Sequence, residues 1–349
     1  MEYKCKGSVV GPEKESKVYE VYPMAANVET MAYFGKTPWH GFGSVLEESD
    51  RKDWKLVCEK SGLGWKVETV PVFTREATED GGDFYHEQID NQFLVRRETD
   101  KEPYAIVTKN FKPLQNEHAL EWFQPWLDAG LAKFETAGAL KNGAIIWALA
   151  EIDGMQADVI PGDELRRYVM LSNSHSGVQA VRGGWTNTRI VCNNTLSLAI
   201  QEKDNKLMRI RHSSNMEQNL KVLRGTMDMI RQQFNADVEQ YRKLAHHAFY
   251  RDDVVRLVKK VVLDIDDPKE ELSTRSQNIL DQILESVKNS PGADTAPNTA
   301  WQAYNGINYF LLNEAGTKGD KSNRLYSAWF GINKSKDQKV LDTMLSMAS

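Results

Sequence analysis

Three cysteines in 349 residues, at positions 5, 58 and 192, are too few and too scattered for a disulfide framework. Without a CxxC pair they do not suit a cysteine-based zinc site either, and they read as reduced thiols of a bacterial cytoplasm. No apolar run approaches the 18 residues that a membrane-spanning helix needs. The opening stretch "MEYKCKGSVVGPEKESK" has no apolar core of the kind a secretory signal carries. A surplus of positive charge is also missing. The formal net charge is −5, so global electrostatics gives no reason to expect a polyanionic partner. Phosphate loops of the GxxxxGK[ST] and GxGxxG types are absent, and "GFGSVL" at 41–46 is a fragment without the strand-loop-helix setting. The seven histidines include no HxxxH pair, and no GxSxG elbow surrounds a serine. Neither a nucleotide, a metal nor another cofactor is expected.

What is present is an ordinary globular composition, 41% apolar and 27% charged, with nine tryptophans. Residues 1–26 are polar and read as a flexible lead-in. Residues 27–200 read as an α+β domain, and 201–349 as a mainly helical region. The expected fold is an antiparallel, hairpin-rich sheet with helices, arranged as two sheet-then-helix units, followed by a helical C-terminal half. In the first unit, "WKVETVPVFT" alternates like a strand, "DFYHEQIDNQFLVRRET" reads as two strands around Asp90-Asn91, and "NEHALEWFQPWLDAG" as a helix closed by Gly130. In the second, Asn142-Gly143 marks a hairpin between 134 and 152. "ELRRYVMLSNSH" is a strand, and Gly183-Gly184 is the expected bend of a further hairpin. "NNTLSLAIQEK" is expected to begin a helix. Leu220, Leu223, Met227, Ile230, Phe234, Val238, Tyr241 and Leu244 repeat at helical spacing, which suits a core-packing helix or a seam between subunits.

Chemistry is concentrated in "SNSHSGVQAVRGGWTNTRIVCNNTL", residues 172–196. Nucleophilic catalysis would need a base within reach of Ser174 or Cys192 and a third group to orient it. Cys192 instead follows an apolar strand pattern, where a buried inert thiol is usual. A polyanion surface fits better. Arg166, Arg167, Arg182 and Arg189 surround Trp185, and Arg96, Arg97, Lys109 and Lys112 lie near Tyr104 and Phe111. Residues 203–260 add 13 Lys/Arg against 7 Asp/Glu. Cations that track phosphates, with aromatic faces for bases, are what single-strand binding requires. Phosphate contacts are assigned to Arg166, Arg167, Arg182, Arg189 and Lys112, and stacking to Trp185 and Tyr104.

"NVETMAYFGKTPWHGFG", "SNSHSG", "RIVCNNTL" and "TAWQAYNGINYFLL…SAWFG", in this order, resemble the phage/plasmid-like protein family, a domain of unknown function, over residues 27–335. The resemblance implies a mobile-element protein with an accessory role in replication, recombination or counter-defence. Ser176 stands where that family more often has Asp, which weighs against an enzyme if the acid were catalytic. The sheet-then-helix arrangement is also similar, at the level of fold, to Rad52-type single-strand annealing proteins, which assemble into oligomers and bind strands in a basic groove. The resulting expectation is an oligomeric protein that binds or anneals single-stranded DNA. A second reading is an inhibitor of a host defence protein, and a third is an enzyme built around His175 with Ser174 or Asn173.

Overall fold

The computed structural model describes residues 28–35, 43–77, 84–177, 180–189, 194–195, 207–210, 212, 218, 227–267, 269–316, 327 and 331–348. Its centre is a sheet whose strands follow the order β10-β9-β8-β7-β6-β1-β2, with β11 also paired to β9. The strands are β1 (Val28–Tyr33), β2 (Ser44–Val45), β6 (Ala132–Leu140), β7 (Ile145–Asp158), β8 (Glu164–Ser174), β9 (Val181–Arg189), β10 (Asn194–Thr195) and β11 (Leu207–Ile210). All pairs are antiparallel except β1 with β2. A second sheet, β3 (Val67–Ala77), β4 (Phe84–Arg97) and β5 (Pro103–Val107), stands beside it.

The β6–β7 hairpin forms at the expected Asn-Gly. Lys141, Asn142 and Gly143 hold φ of 54°, 52° and 82°, the left-handed region that Asn and Gly tolerate best. Gly183-Gly184 turns out differently. Both lie within β9, opposite Leu171 and Met170 of β8, so the chain runs straight through them. On the other edge of β9, β11 pairs with the same glycines, so strand pairing continues beyond residue 200. The Asp90-Asn91 turn is likewise corrected. Here β4 is one strand, and Asn91 at φ 57° sits in a bulge where its register to β3 shifts between Pro71 and Phe73. Asn194 and Thr195 form a short strand rather than a helix start, and the rest of that expected helix lies outside the described residues.

Helices gather on one face of the main sheet. They are α1 (Trp54–Lys60), α2 (Asn116–Glu121), α3 (Gln124–Asp128), α4 (Met227–His246), α5 (Arg251–Leu257), α6 (Thr274–Asn289), α7 (Ala300–Tyr309) and α8 (Ile332–Met347). The single helix expected from 116 to 130 is two short ones, α2 and α3, with Pro125 in the first turn of α3. In α4 the helical stripe is confirmed as core, because Ile230, Phe234, Val238, Tyr241 and Leu244 are all buried. Leu220 and Leu223 lie outside the described residues. One continuous core joins Phe134, Ile146 and Val169 of the sheet to Phe234, Trp301 and Met344 of the helices. Polar ties cross the same boundary. The Trp301 indole donates to Asp163 Oδ2 at 2.8 Å, from α7 to the β7–β8 turn. Among the described residues no helix is long and apolar enough to cross a membrane.

Candidate nucleic-acid interface

Side chains alternate across a strand, so the adjacent arginines of β8 part company. Arg167 points to the helical side. It is fully buried, and its Nη2 donates to Asp237 Oδ2 of α4 at 2.6 Å. Asn187 Nδ2 reaches the same oxygen at 3.2 Å, and the guanidinium lies 5.2 Å from the Phe234 ring centre. The expectation that Arg167 meets phosphates is corrected, since this charge is already neutralised inside the core. Trp185 is corrected too. At 9% exposure it belongs to the core cluster and presents no stacking face.

Arg166 takes the other face and is partly exposed, donating to Glu164 at 2.5 Å and Glu151 at 3.3 Å. Arg182 is half-buried, opposite Ser172 in register and therefore on the face of Arg166. Arg189 pairs in register with Leu165, and its side chain lies outside the described residues. Tyr104 is half-buried and Lys112 exposed.

Where the two sheets meet, a polar cluster surrounds His175. Asn116 Nδ2 donates to the carbonyls of Leu63 (3.0 Å) and Trp65 (3.2 Å), which turns its Oδ1 toward His175 Nε2 at 2.9 Å. Nε2 therefore carries the proton, and Nδ1 faces the Asn173 amide at 3.4 Å. Tyr104 stacks on the ring at 5.8 Å, and Trp65 meets it edge-on at 5.4 Å. Burial pushes the imidazole down to about 3, helped by the nearby His212 and Arg97. The Ser174 hydroxyl pairs with Ser176 at 2.9 Å, not with the ring. Both ring nitrogens are taken and both residues are buried, so the SNSHSG segment joins the two sheets. Cys58 is buried on the inner side of α1, and burial raises its thiol to about 11. Cys192 lies outside the described residues.

Just outside this junction the chain leaves β5 and forms a rim. Phe111 stacks on His212 with centroids 4.7 Å apart and planes at 29°. The Lys112 amide donates to the His212 carbonyl at 3.2 Å, and His212 Nδ1 donates back to the Lys112 carbonyl at 3.1 Å. This reciprocal pair of hydrogen bonds ties the loop after β5 to His212. Lys109 and Lys112, on either side of Phe111 in sequence, are exposed, and among the described residues neither ammonium pairs with a carboxylate. Lys112 was expected from the sequence. His212 was missed, because nothing in its neighbourhood of residues shows that it lies against Phe111, 101 positions earlier in the chain.

A second charged cluster lies at the far end of β6 and β7. Arg51 is buried, donating from Nε to the Phe134 carbonyl (2.6 Å) and from Nη2 to Glu135 (2.7 Å) and Glu151 (3.0 Å). Burial pushes Glu135 up to about 7 against the pull of Arg51, and Glu151 adds to the rise. A groove of about 450 Å³ between α1 and the start of β3 is lined by Trp54, Trp65, Lys55, Lys66, Glu59 and Glu117, whose charges balance. Among the described residues, no three His, Cys, Asp or Glu side chains are grouped so as to hold a metal.

Residues 103–329 match the model of a family described as a domain of unknown function, DUF932. No curated protein and no solved structure matches the chain.

Proposed function

The chain belongs to the DUF932 family, and on that footing we propose that it is a phage- or plasmid-encoded accessory protein that binds single-stranded DNA. The observation that carries this reading is the rim after β5, where the exposed Lys109 and Lys112, which pair with no carboxylate among the described residues, lie close in sequence to Phe111 and its stack on His212. The arrangement supplies what a single strand needs. Lys109 and Lys112 supply exposed cations for phosphates, and the half-buried aromatic pair supplies ring surface for an unpaired base. Arg182 and Arg166 lie on one face of β8 and β9, where Arg166 is paired with Glu151 and Glu164.

Replacing both lysines, Lys109→Ala with Lys112→Ala, removes two phosphate contacts. The slope of log affinity against log salt should then shrink by about 1.4, at roughly 0.7 per contact for a single strand. Phe111→Ala should weaken binding by about 1–3 kcal/mol. Fluorescence anisotropy with a labelled oligothymidine at several salt concentrations reads both effects. An unchanged slope in the double variant, with unchanged affinity in Phe111→Ala, removes the rim as the binding site.

A further inference from the structure

Past Pro71, strands β3 and β4 leave the body of the protein as a two-stranded ribbon. From Phe84 to Asn91 every residue of β4 is exposed, and Phe73, Phe84 and Tyr85 are 52%, 55% and 48% accessible. A lone hairpin is marginal in water, and uncovered aromatics at this density mark a contact surface. The register sorts the ribbon into two faces. One carries Phe73, Arg75 and Phe84, with the Arg75 guanidinium 3.8 Å from the Phe84 ring centre. The other carries Glu76, Tyr85 and Glu87, with the Tyr85 hydroxyl donating to Glu76 at 3.1 Å. Among the described residues of the ribbon, 71–77 and 84–91, three carboxylates (Glu76, Glu87 and Asp90) stand against one arginine, a formal charge of −2. Such a surface repels a phosphate backbone, and it adjoins the rim only at its base, where the Lys109 amide donates to Asn91 Oδ1 at 3.2 Å.

The geometry points to a second copy of this chain as the occupant, with the acidic face of one ribbon seated on the α4–α5 corner of the next molecule. At that corner Tyr250 is 60% exposed between exposed Lys243 and Arg251. Residues 239–260 carry six Lys/Arg against three Asp/Glu. Two ribbons facing each other would oppose like charges, so the fit is acidic ribbon to basic corner, tyrosine beside tyrosine. Edge-to-edge strand addition is also disfavoured. The Val67 amide and carbonyl both bond the Gln115 side chain, which faces them away from β4. By alternation the Pro71 nitrogen faces the same open edge, where it offers no donor. A contact between two different surfaces is heterologous, so it propagates into a ring or a filament.

Mass photometry and size-exclusion chromatography of the full chain test this directly. The wild-type protein should form oligomers that dissociate in about 1 M salt, where the screening length is roughly 3 Å. Glu76→Lys with Glu87→Lys should weaken assembly at least tenfold, and adding Lys243→Glu with Arg251→Glu should restore it. A wild-type protein that stays monomeric, a ribbon variant that still assembles, or a four-fold variant that fails to recover would each overturn the proposal. A readout that does not depend on charge reversal comes from mixing Tyr85→Cys and Tyr250→Cys chains with different tags. A disulfide-linked product that carries both tags, joined through the cysteines introduced at positions 85 and 250, is expected under mild oxidation, and its absence speaks against the contact. Capture of one stoichiometric host protein by a monomeric chain, lost in the ribbon variant, would assign the ribbon to a foreign partner instead.

Discussion

Arg166 and Arg167 are adjacent in sequence, yet one remains at the surface and the other lies in the core. Removing one member of a buried, hydrogen-bonded charge pair strands the other, at a cost of about 3–5 kcal/mol. Arg167→Ala should therefore lower stability by that order in a urea titration, by taking the guanidinium away from the buried Asp237 carboxylate. Arg166→Ala, at a partly exposed ion pair, should cost less than about 1 kcal/mol. Two other side chains set the pH dependence, with opposite signs. The folded-state value of Glu135, about 7, lies above its unfolded value, so the stability linked to it is complete below about 4.5 and is lost as pH rises through 7. That of His175, about 3, lies below its unfolded value, so its contribution is complete above about 6.5 and is lost as pH falls toward 3. Between about 4.5 and 6.5 the two oppose each other and flatten the profile. Glu135→Gln should remove the alkaline loss and expose a steady decline on the acid side. Thermal melts from pH 4 to 8 would refute the assignment if the variant and wild-type profiles run parallel.

At the scale of elements, much was legible where the signal is local. Asn142-Gly143 turns a hairpin because it can hold positive φ, and the spacing in α4 matches the face that is buried. The departures occur where distant partners decide. Gly183-Gly184 looks like a bend, but β8 on one side and β11 on the other hold it extended. Asp90-Asn91 looks like a turn, but pairing to β3 on both sides of the bulge keeps β4 continuous. For the site, composition pointed to clusters of arginine and tryptophan. The face of the strand, which alternation makes flip with each residue, decided which of them reach solvent. Gly306 shows a further constraint invisible in sequence. A Cβ there would stand 2.3 Å from the Val287 Cα, so α6 and α7 touch backbone to backbone. Gly306→Ala, which raises helix propensity by about 1 kcal/mol at an open site, should here lower the melting temperature, as calorimetry can show.

For the molecule as a whole, the sheet and the helices following residue 227 share one interior, so they stand or fall together. The face of β6 to β9 that meets α4 and α7 is lined by Phe134, Ile146, Ala148, Val169 and Leu171, none of which can meet water without loss. The last helix adds Val340, Leu341 and Met344 to the same interior, and its Asp337 accepts from Asn308 of α7 at 2.9 Å.

That shared interior has a consequence during synthesis. A ribosome makes the strands first and α8 well over a hundred residues later. At about 5–20 residues per second the finished sheet gains α4 soon after its last strand but waits many seconds for the rest of its cover, α7 and α8. Translation speed and chaperone supply in the cell thus bear on how much of this protein reaches its native state.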